Sequence, residues 1–346
     1  MNLFYQPDQG RCGDIIPFWE NGLYHLFYLG HGWTRIDTRD QLHFSAPVST
    51  GIRGGTGSVV KSGGLYHLFY CTFTFTPYCR QYVCHAVSED LETWTPLPED
   101  TFQPDDVIYE MSDWRDPHVV WNEEEGCWWM LIAAQRKGRT MRKGCVALCK
   151  SDDLHQWRIC EPLYAPLTHP SAHECPDLFR WGDWWYLTYS VYTDRFRTLY
   201  RMARSPKGPW ITPPVDTFDT RCFYAAKHGT DGESHFLYGW NPDRAENIWH
   251  FNPEQSRGKD YDTWDWGGVM IVHRLLQHPD GTLGVCPPDA VDGAFLRRQP
   301  LELRPLNGTW QLTDTGASVR TPYAYASLLL NRVPARGKLE LDVSFD

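Results

Sequence analysis

Gly22-Leu23-Tyr24-His25-Leu26-Phe27-Tyr28 returns almost unchanged as Gly64-Leu65-Tyr66-His67-Leu68-Phe69-Tyr70. Looser copies begin at Gly126, Gly182 and Gly232, each glycine followed by an aromatic and aliphatic run. The five copies lie 42, 62, 56 and 50 residues apart, the spacing of propeller blades. Ahead of each glycine stands another apolar stretch, such as Ile15-Ile16-Pro17-Phe18-Trp19 or Pro117-His118-Val119-Val120-Trp121. Two short aromatic or β-branched runs joined by Asn, Asp or Gly read as a hairpin. A third element follows in several units, as Asp90-Leu91-Glu92-Thr93-Trp94, Asp153-Leu154-His155-Gln156-Trp157 and, more weakly, Asp40-Gln41-Leu42-His43-Phe44. No segment carries a long 3.6-residue apolar period, so few and short helices are expected. The chain is therefore all-β, with a five-bladed β-propeller over residues 1–295, because radial blades leave only short, protected sheet edges.

From residue 296 the texture changes. A connector rich in Arg and Pro leads into Gly308-Thr309-Trp310-Gln311-Leu312, Ala326-Ser327-Leu328-Leu329-Leu330 and the alternating Lys338-Leu339-Glu340-Leu341-Asp342-Val343-Ser344-Phe345. Residues 296–346 read as a connector and a partial C-terminal β-domain, or as strands packed on the propeller.

Composition narrows the partners. A formal charge of −10 argues against nucleic acid and against an anionic membrane surface. No apolar run is long enough to span a bilayer. The first residues lack a basic stretch followed by an apolar core, so a cytoplasmic protein is expected. Eleven cysteines, an odd number with no export signal, read as free buried thiols. Cys145 with Cys149, or Cys79 with Cys84, has a loose ligand spacing that no second pair completes, so neither a metal nor another cofactor is expected. The 17 tryptophans exceed ordinary packing needs. Most should wedge between blades, while some should stack on the apolar faces of a sugar. Oligomeric state is left open by the sequence.

Asp14, Asp116 and Glu174 lie eight, ten and eight residues ahead of the first, third and fourth repeat glycines. An isolated acid near a strand start usually accepts hydrogen bonds in a turn. Three acids at matching points of repeated units should instead converge on the repeat axis. Glycoside cleavage uses two carboxyl groups flanking one bond, so a carbohydrate is the expected small-molecule substrate. His25 and His67 occupy matched positions and read as packing residues, His118 as structural, and the basic stretch Arg136–Lys143 as a solvated hairpin.

The local sequences sharpen this reading. Trp114-Arg115-Asp116-Pro117 and Glu174-Cys175-Pro176-Asp177 resemble the Arg-Asp-Pro and Glu-Cys-Pro-Asp motifs of glycoside hydrolase family 32, the invertase, inulinase and levanase family. Gly55-Thr56-Gly57-Ser58, Tyr238-Gly239-Trp240-Asn241 and Trp266-Gly267-Gly268-Val269-Met270 are similar to further segments of that family. The resemblance implies that the tail is the start of a C-terminal β-sandwich-like segment, and it implies retaining cleavage of β-fructofuranosides. Asp14 would be the nucleophile, Glu174 the general acid and then base, and Asp116 the transition-state stabiliser, kept ionised by Arg115. Arg115, Ser58 and Trp240 would contact the sugar, and His173 would tune Glu174 from the adjacent position. The family's Asn-Asp-Pro-Asn-Gly is replaced by Gly13-Asp14-Ile15-Ile16-Pro17, which predicts an altered glycone pocket, with Trp33 as a stacking platform. An inverting arabinofuranosidase of the related five-bladed type, a fructosyltransferase and a non-catalytic glycan-binding propeller are the alternatives.

Overall fold

A computed structural model describes residues 3–192, 196–219, 222–242, 266–297, 299–300, 302–313, 316–320, 325–333, 337–340 and 342–343. The chain divides into two compact units, Met1–Pro288 and Asp289–Asp346.

The first unit is a five-bladed propeller of antiparallel sheets. Blade 1 is β1 (Gly13–Glu20), β2 (Leu23–Leu29), β3 (Trp33–Thr38) and β4 (Val48–Ser49). Blade 2 is β5 (Gly57–Ser62), β6 (Leu65–Thr74), β7 (Arg80–Ser88) and β8 (Thr95–Pro96). Blade 3 is β9 (Tyr109–Asn122), β10 (Cys127–Arg136), β11 (Gly144–Ser151) and β12 (Arg158–Tyr164). Blade 4 has three strands, β13 (Glu174–Trp181), β14 (Trp184–Val191) and β15 (Arg197–Ala203). Blade 5 is β16 (Tyr224–Thr230), β17 (His235–Pro242), β18 (Gly268–Gln277) and β19 (Leu283–Cys286). The first strands pack in a closed ring, β1 on β5, β5 on β9, β9 on β13, β13 on β16 and β16 on β1, so they line the axis.

Local chemistry explains the hairpins. Asn21 and Gly22 adopt φ of 51° and 78° between β1 and β2, the left-handed pair that a tight two-residue hairpin needs. The Asp-Leu repeat is a turn with its own cap rather than a strand. Asp90 Oδ1 accepts from the backbone N–H groups of Glu92 and Thr93 at 2.8 and 2.7 Å, and Asp153 Oδ1 accepts from those of His155 and Gln156 at 2.8 Å each. The hydroxyls of Ser88 and Ser151 accept from Leu91 and Leu154 N–H, both at 2.9 Å, which holds the leucines at φ of 64° and 68°. Asp40 and Thr38 repeat the device in blade 1.

Packing follows from the alternation of side chains along each strand. Ile15 joins the core between blades 5 and 1, whereas Ile16 joins the one between blades 1 and 2. Three more cores fill the remaining gaps, centred on Trp114 and Met130, on Trp129 and Leu187, and on Phe179 and Leu237. Trp33, Trp114, Trp129 and Trp240 are fully buried, so these tryptophans serve as blade wedges. Seven of the eleven cysteines are buried.

The ring is closed by the N-terminal segment. Cys12 and Gly268 exchange backbone hydrogen bonds of 3.1 and 2.9 Å, and Met270 N–H donates to the Tyr5 carbonyl at 2.9 Å. Blade 5 thereby gains a partner from the chain start. Among the described residues no helix is long and apolar enough to cross a membrane.

Among its described residues the second unit holds one short helix, Asp289–Gly293, and two two-stranded sheets. These pair β20 (Glu302–Asn307) with β23 (Ser327–Asn331) and β21 (Thr309–Thr313) with β22 (Gly316–Arg320). The strand expected at Lys338–Phe345 is not formed by its described residues; Leu341, Ser344 and Phe345 lie outside them.

Candidate active site

Four of the five axial strands carry the same irregularity. Between Gly13 and Ile16, Arg115 and His118, Glu174 and Asp177, and Tyr224 and Lys227, two residues oppose one on the next strand. The first of each pair, Asp14, Asp116, Cys175 and Ala225, has positive φ of 44°, 60°, 48° and 53°. A non-glycine residue in that region is strained, and bulges of this kind turn side chains out of the regular alternation. Asp14 and Asp116 occupy the bulge position itself. Glu174 occupies the residue before it, level with Gly13, Arg115 and Tyr224. The expected convergence is therefore present, with Glu174 offset by one residue.

Arg115 joins two of the acids, and the charges of both act on the third, Asp14. Arg115 Nη2 donates to Glu174 Oε1 at 2.8 Å, and Arg115 Nε stands 3.9 Å from Asp116 Oδ2. Arg115 is itself held by Asp113, which accepts from Gln135 Nε2 at 2.5 Å. Tyr224 donates its hydroxyl hydrogen bond to Glu174 Oε2. Asp116 Oδ2 accepts from Cys175 N–H at 2.9 Å, which joins the bulges of blades 3 and 4. Trp240 Nε1–H donates to Asp14 Oδ1 at 2.9 Å. Asp14 and Asp116 are buried, whereas the Glu174 side chain remains 22% exposed, so Glu174 is the acid most open to solvent.

Burial governs the electrostatics. It pushes the Asp14 carboxyl up to about 7, with Asp116 and Glu174 adding to the rise and the Trp240 hydrogen bond opposing it. Asp116 is also raised by burial, against the pull of Arg115. Arg115, expected to keep Asp116 ionised, acts in that direction, although burial is the larger influence on this carboxyl. Tyr224 is held far above its usual range, by burial first and then by Glu174, so its hydroxyl stays a donor. Lys227 is a buried cation on blade 5 whose Nζ donates to the Pro176 carbonyl at 3.1 Å and whose charge favours ionised Asp14 and Asp116.

Other residues expected at the sugar take different places. Trp33 is wholly buried, packs on Phe27 and donates to the Gly55 carbonyl at 3.0 Å, so it offers no stacking face. Ser58 Oγ accepts from Val119 N–H at 2.9 Å and braces the strand bearing Asp116. His173 is fully buried among Tyr164, His169 and Tyr189, and neither ring nitrogen has a hydrogen-bond partner, Glu174 included. His118 Nε2 stands 3.4 Å from Asp177 Oδ1, and Asp177 accepts from His228 N–H at 2.8 Å, which makes both structural. A Cβ at position 13 would lie 2.6 Å from the Trp266 indole, so glycine there leaves room for that ring beside Asp14. Tyr224 escaped the sequence reading although it too lies eight residues ahead of a repeat glycine, Gly232; attention to acids alone hid it.

Trp240→Phe removes the donor that favours ionised Asp14. The acid limb of kcat/KM is expected to move up by about one pH unit, lowering the value at pH 6 roughly tenfold. A pH–rate profile of parent and variant checks it; coincident limbs would show that this hydrogen bond does not tune the site.

The family model described as the glycosyl hydrolases family 32 N-terminal domain matches residues 5–283. The chain is 26% identical over 332 residues to a raffinose invertase of Escherichia coli, covering 85% of this chain and 65% of that protein. It is 23% identical over 346 residues to a sucrose-6-phosphate hydrolase of the same organism, covering 89% and 68%. A solved β-fructofuranosidase of Bombyx mori shares the fold, with a TM-score of 0.64 at 20% identity over 88% of this chain and 68% of that one. This chain spans about two thirds of the length of these relatives.

Proposed function

The chain belongs to glycosyl hydrolase family 32, and from that membership we propose that it cleaves β-fructofuranosides by double displacement. The observation that carries the reading is the single network in which Arg115 touches both Asp116 and Glu174 while burial and both neighbouring acids act on Asp14.

In the first step an ionised Asp14 oxygen attacks the anomeric carbon of the fructosyl unit. The bond to the leaving oxygen breaks, and Glu174 gives that oxygen its proton. Glu174 is suited to the task by its exposure, which lets it reach the leaving group and later a water molecule. In the second step Glu174 takes a proton from water, the water oxygen attacks the same carbon, and the bond to Asp14 breaks. Asp116 would accept hydrogen bonds from ring hydroxyls, which strengthen as positive charge spreads over the ring oxygen and anomeric carbon. Arg115 fixes the direction of Glu174 through a charge-assisted hydrogen bond.

The substrate is proposed as sucrose, fructo-oligosaccharides or fructans. A panel of sucrose, raffinose, inulin, levan and aryl arabinofuranosides tests it. Fructose release that disappears in Glu174→Gln supports the reading. Turnover of arabinofuranosides alone would replace it with the related furanosidase activity, and absence of any turnover would leave a glycan-binding propeller.

A further inference from the structure

We propose that His85, Asp100 and His155 form a binding site for a divalent transition-metal ion of the zinc class, joining blades 2 and 3. The site lies apart from the acids and does not rest on the fructosidase reading. His85 comes from β7, Asp100 from the 3₁₀ turn Pro98–Asp100 between the blades, and His155 from the capped Asp-Leu turn that follows β11. Three separate elements thus meet at one point.

The geometry is close to that of a metal site. His85 Nδ1 and His155 Nδ1 each stand 2.7 Å from the same oxygen, Asp100 Oδ2, and all three ligand atoms lie within 4.8 Å of one another. Donors held at zinc–nitrogen and zinc–oxygen lengths of ~2.0–2.2 Å in a tetrahedron sit ~3.3 Å apart. A small withdrawal of Asp100 therefore admits an ion. Two imidazoles and one carboxylate suit zinc and its neighbours, whereas calcium and magnesium call for oxygen ligands throughout. Three protein ligands leave a fourth position for water, on the side where the His155 side chain is 46% exposed.

The outer support is also present. His67 Nδ1 lies 3.0 Å from His85 Nε2, so the buried ring that would bind through Nδ1 has a hydrogen-bond partner on its far nitrogen. Such a partner fixes the orientation of a ligating imidazole. The His85 ring is further clamped by stacking on Phe69 at 4.3 Å and on His67 at 5.1 Å between ring centroids. Position 67 is a repeat position whose blade-1 counterpart, His25, instead faces Asp37 at 2.7 Å. In blade 2 the histidine extends into a chain of four titratable groups, His67, His85, Asp100 and His155.

Protons can bridge the same atoms, and titration separates the two cases. The full chain, stripped of metal by a chelator and kept reduced, is titrated with zinc chloride and separately with cobalt chloride. One equivalent of zinc is expected to bind and to raise the melting temperature by roughly 3–6 °C at a hundredfold excess over Kd. Cobalt should give the visible bands of a four-coordinate ion. Asp100→Asn and His155→Gln should lose both signals, and His67→Gln should weaken binding ~10–100-fold. His155→Gln, at an exposed position outside the acid network, should leave basal activity unchanged and carries the test if Asp100→Asn does not fold. Equal metal uptake by parent and His155→Gln, or no uptake by the parent, overturns the site.

Discussion

Asp14→Asn is expected to abolish turnover and, at the same time, to stabilise the protein above neutral pH. The loss follows from removal of the oxygen proposed to attack and should exceed ~10⁴-fold in kcat. The gain follows from the raised carboxyl. Asp14 stands at about 7 in the folded state against an ordinary 3.8, so the folded protein prefers it protonated. Its favourable contribution is complete below about pH 4 and is lost as pH climbs through about 7. Above that point the buried anion costs on the order of 4 kcal/mol, and the neutral, isosteric asparagine avoids it while its carbonyl still accepts from Trp240. Denaturant melts of both proteins at pH 5 and pH 8 check this. The variant should gain on the parent at pH 8 and gain much less at pH 5. Equal curves at both values would show that Asp14 is not held in a desolvated site. The kinetic counterpart is an acid limb of kcat/KM near pH 7, where the carboxylate proposed to attack forms.

Glu174→Gln is expected to cut turnover of sucrose-like substrates by ~10²–10⁴-fold. Glutamine keeps one oxygen to accept from Arg115, places a donor NH2 toward the Tyr224 hydroxyl, and can neither protonate the leaving oxygen nor take a proton from water. An aryl fructoside, whose leaving group needs little protonation, separates the two steps. It should release one equivalent of phenol rapidly and then stall, because the fructosyl group remains on Asp14 with no base to activate water. Added azide, a nucleophile that needs no base, should restart release. A linear time course with no burst and no azide effect would point to a single displacement through water, as in an inverting enzyme.

Much of this was written openly in the chain. The repeated aromatic run declares each second strand, and the turn before it is specified by residues such as Asn21-Gly22. The acids were legible because three carboxylates at matched distances from repeat glycines have few structural reasons to coincide. Their one-residue mismatch was not, since a bulge inserts a residue without changing composition, and only strand register reveals it. Trp33 misled for another reason. An indole beside a loop suits a sugar platform equally well, and its burial is decided by Phe27 and the Gly55 carbonyl, which are remote or featureless in sequence. His173 likewise sits next to Glu174 along the chain, yet strand geometry sends its ring into an aromatic core. The metal-type cluster was invisible because its members are dispersed over seventy residues and meet only when two blades pack together.

The clasp between the chain start and β18 has a further consequence. Cys12, which pairs with Gly268, is two residues from Asp14, so the seam that fastens the circle also anchors the strand start bearing the proposed nucleophile. Fraying at this seam would silence the enzyme while the other blades stayed intact. Inactivation on warming should therefore precede the loss of β-structure, and whatever tightens the first dozen residues should lengthen working life before it alters the melting point.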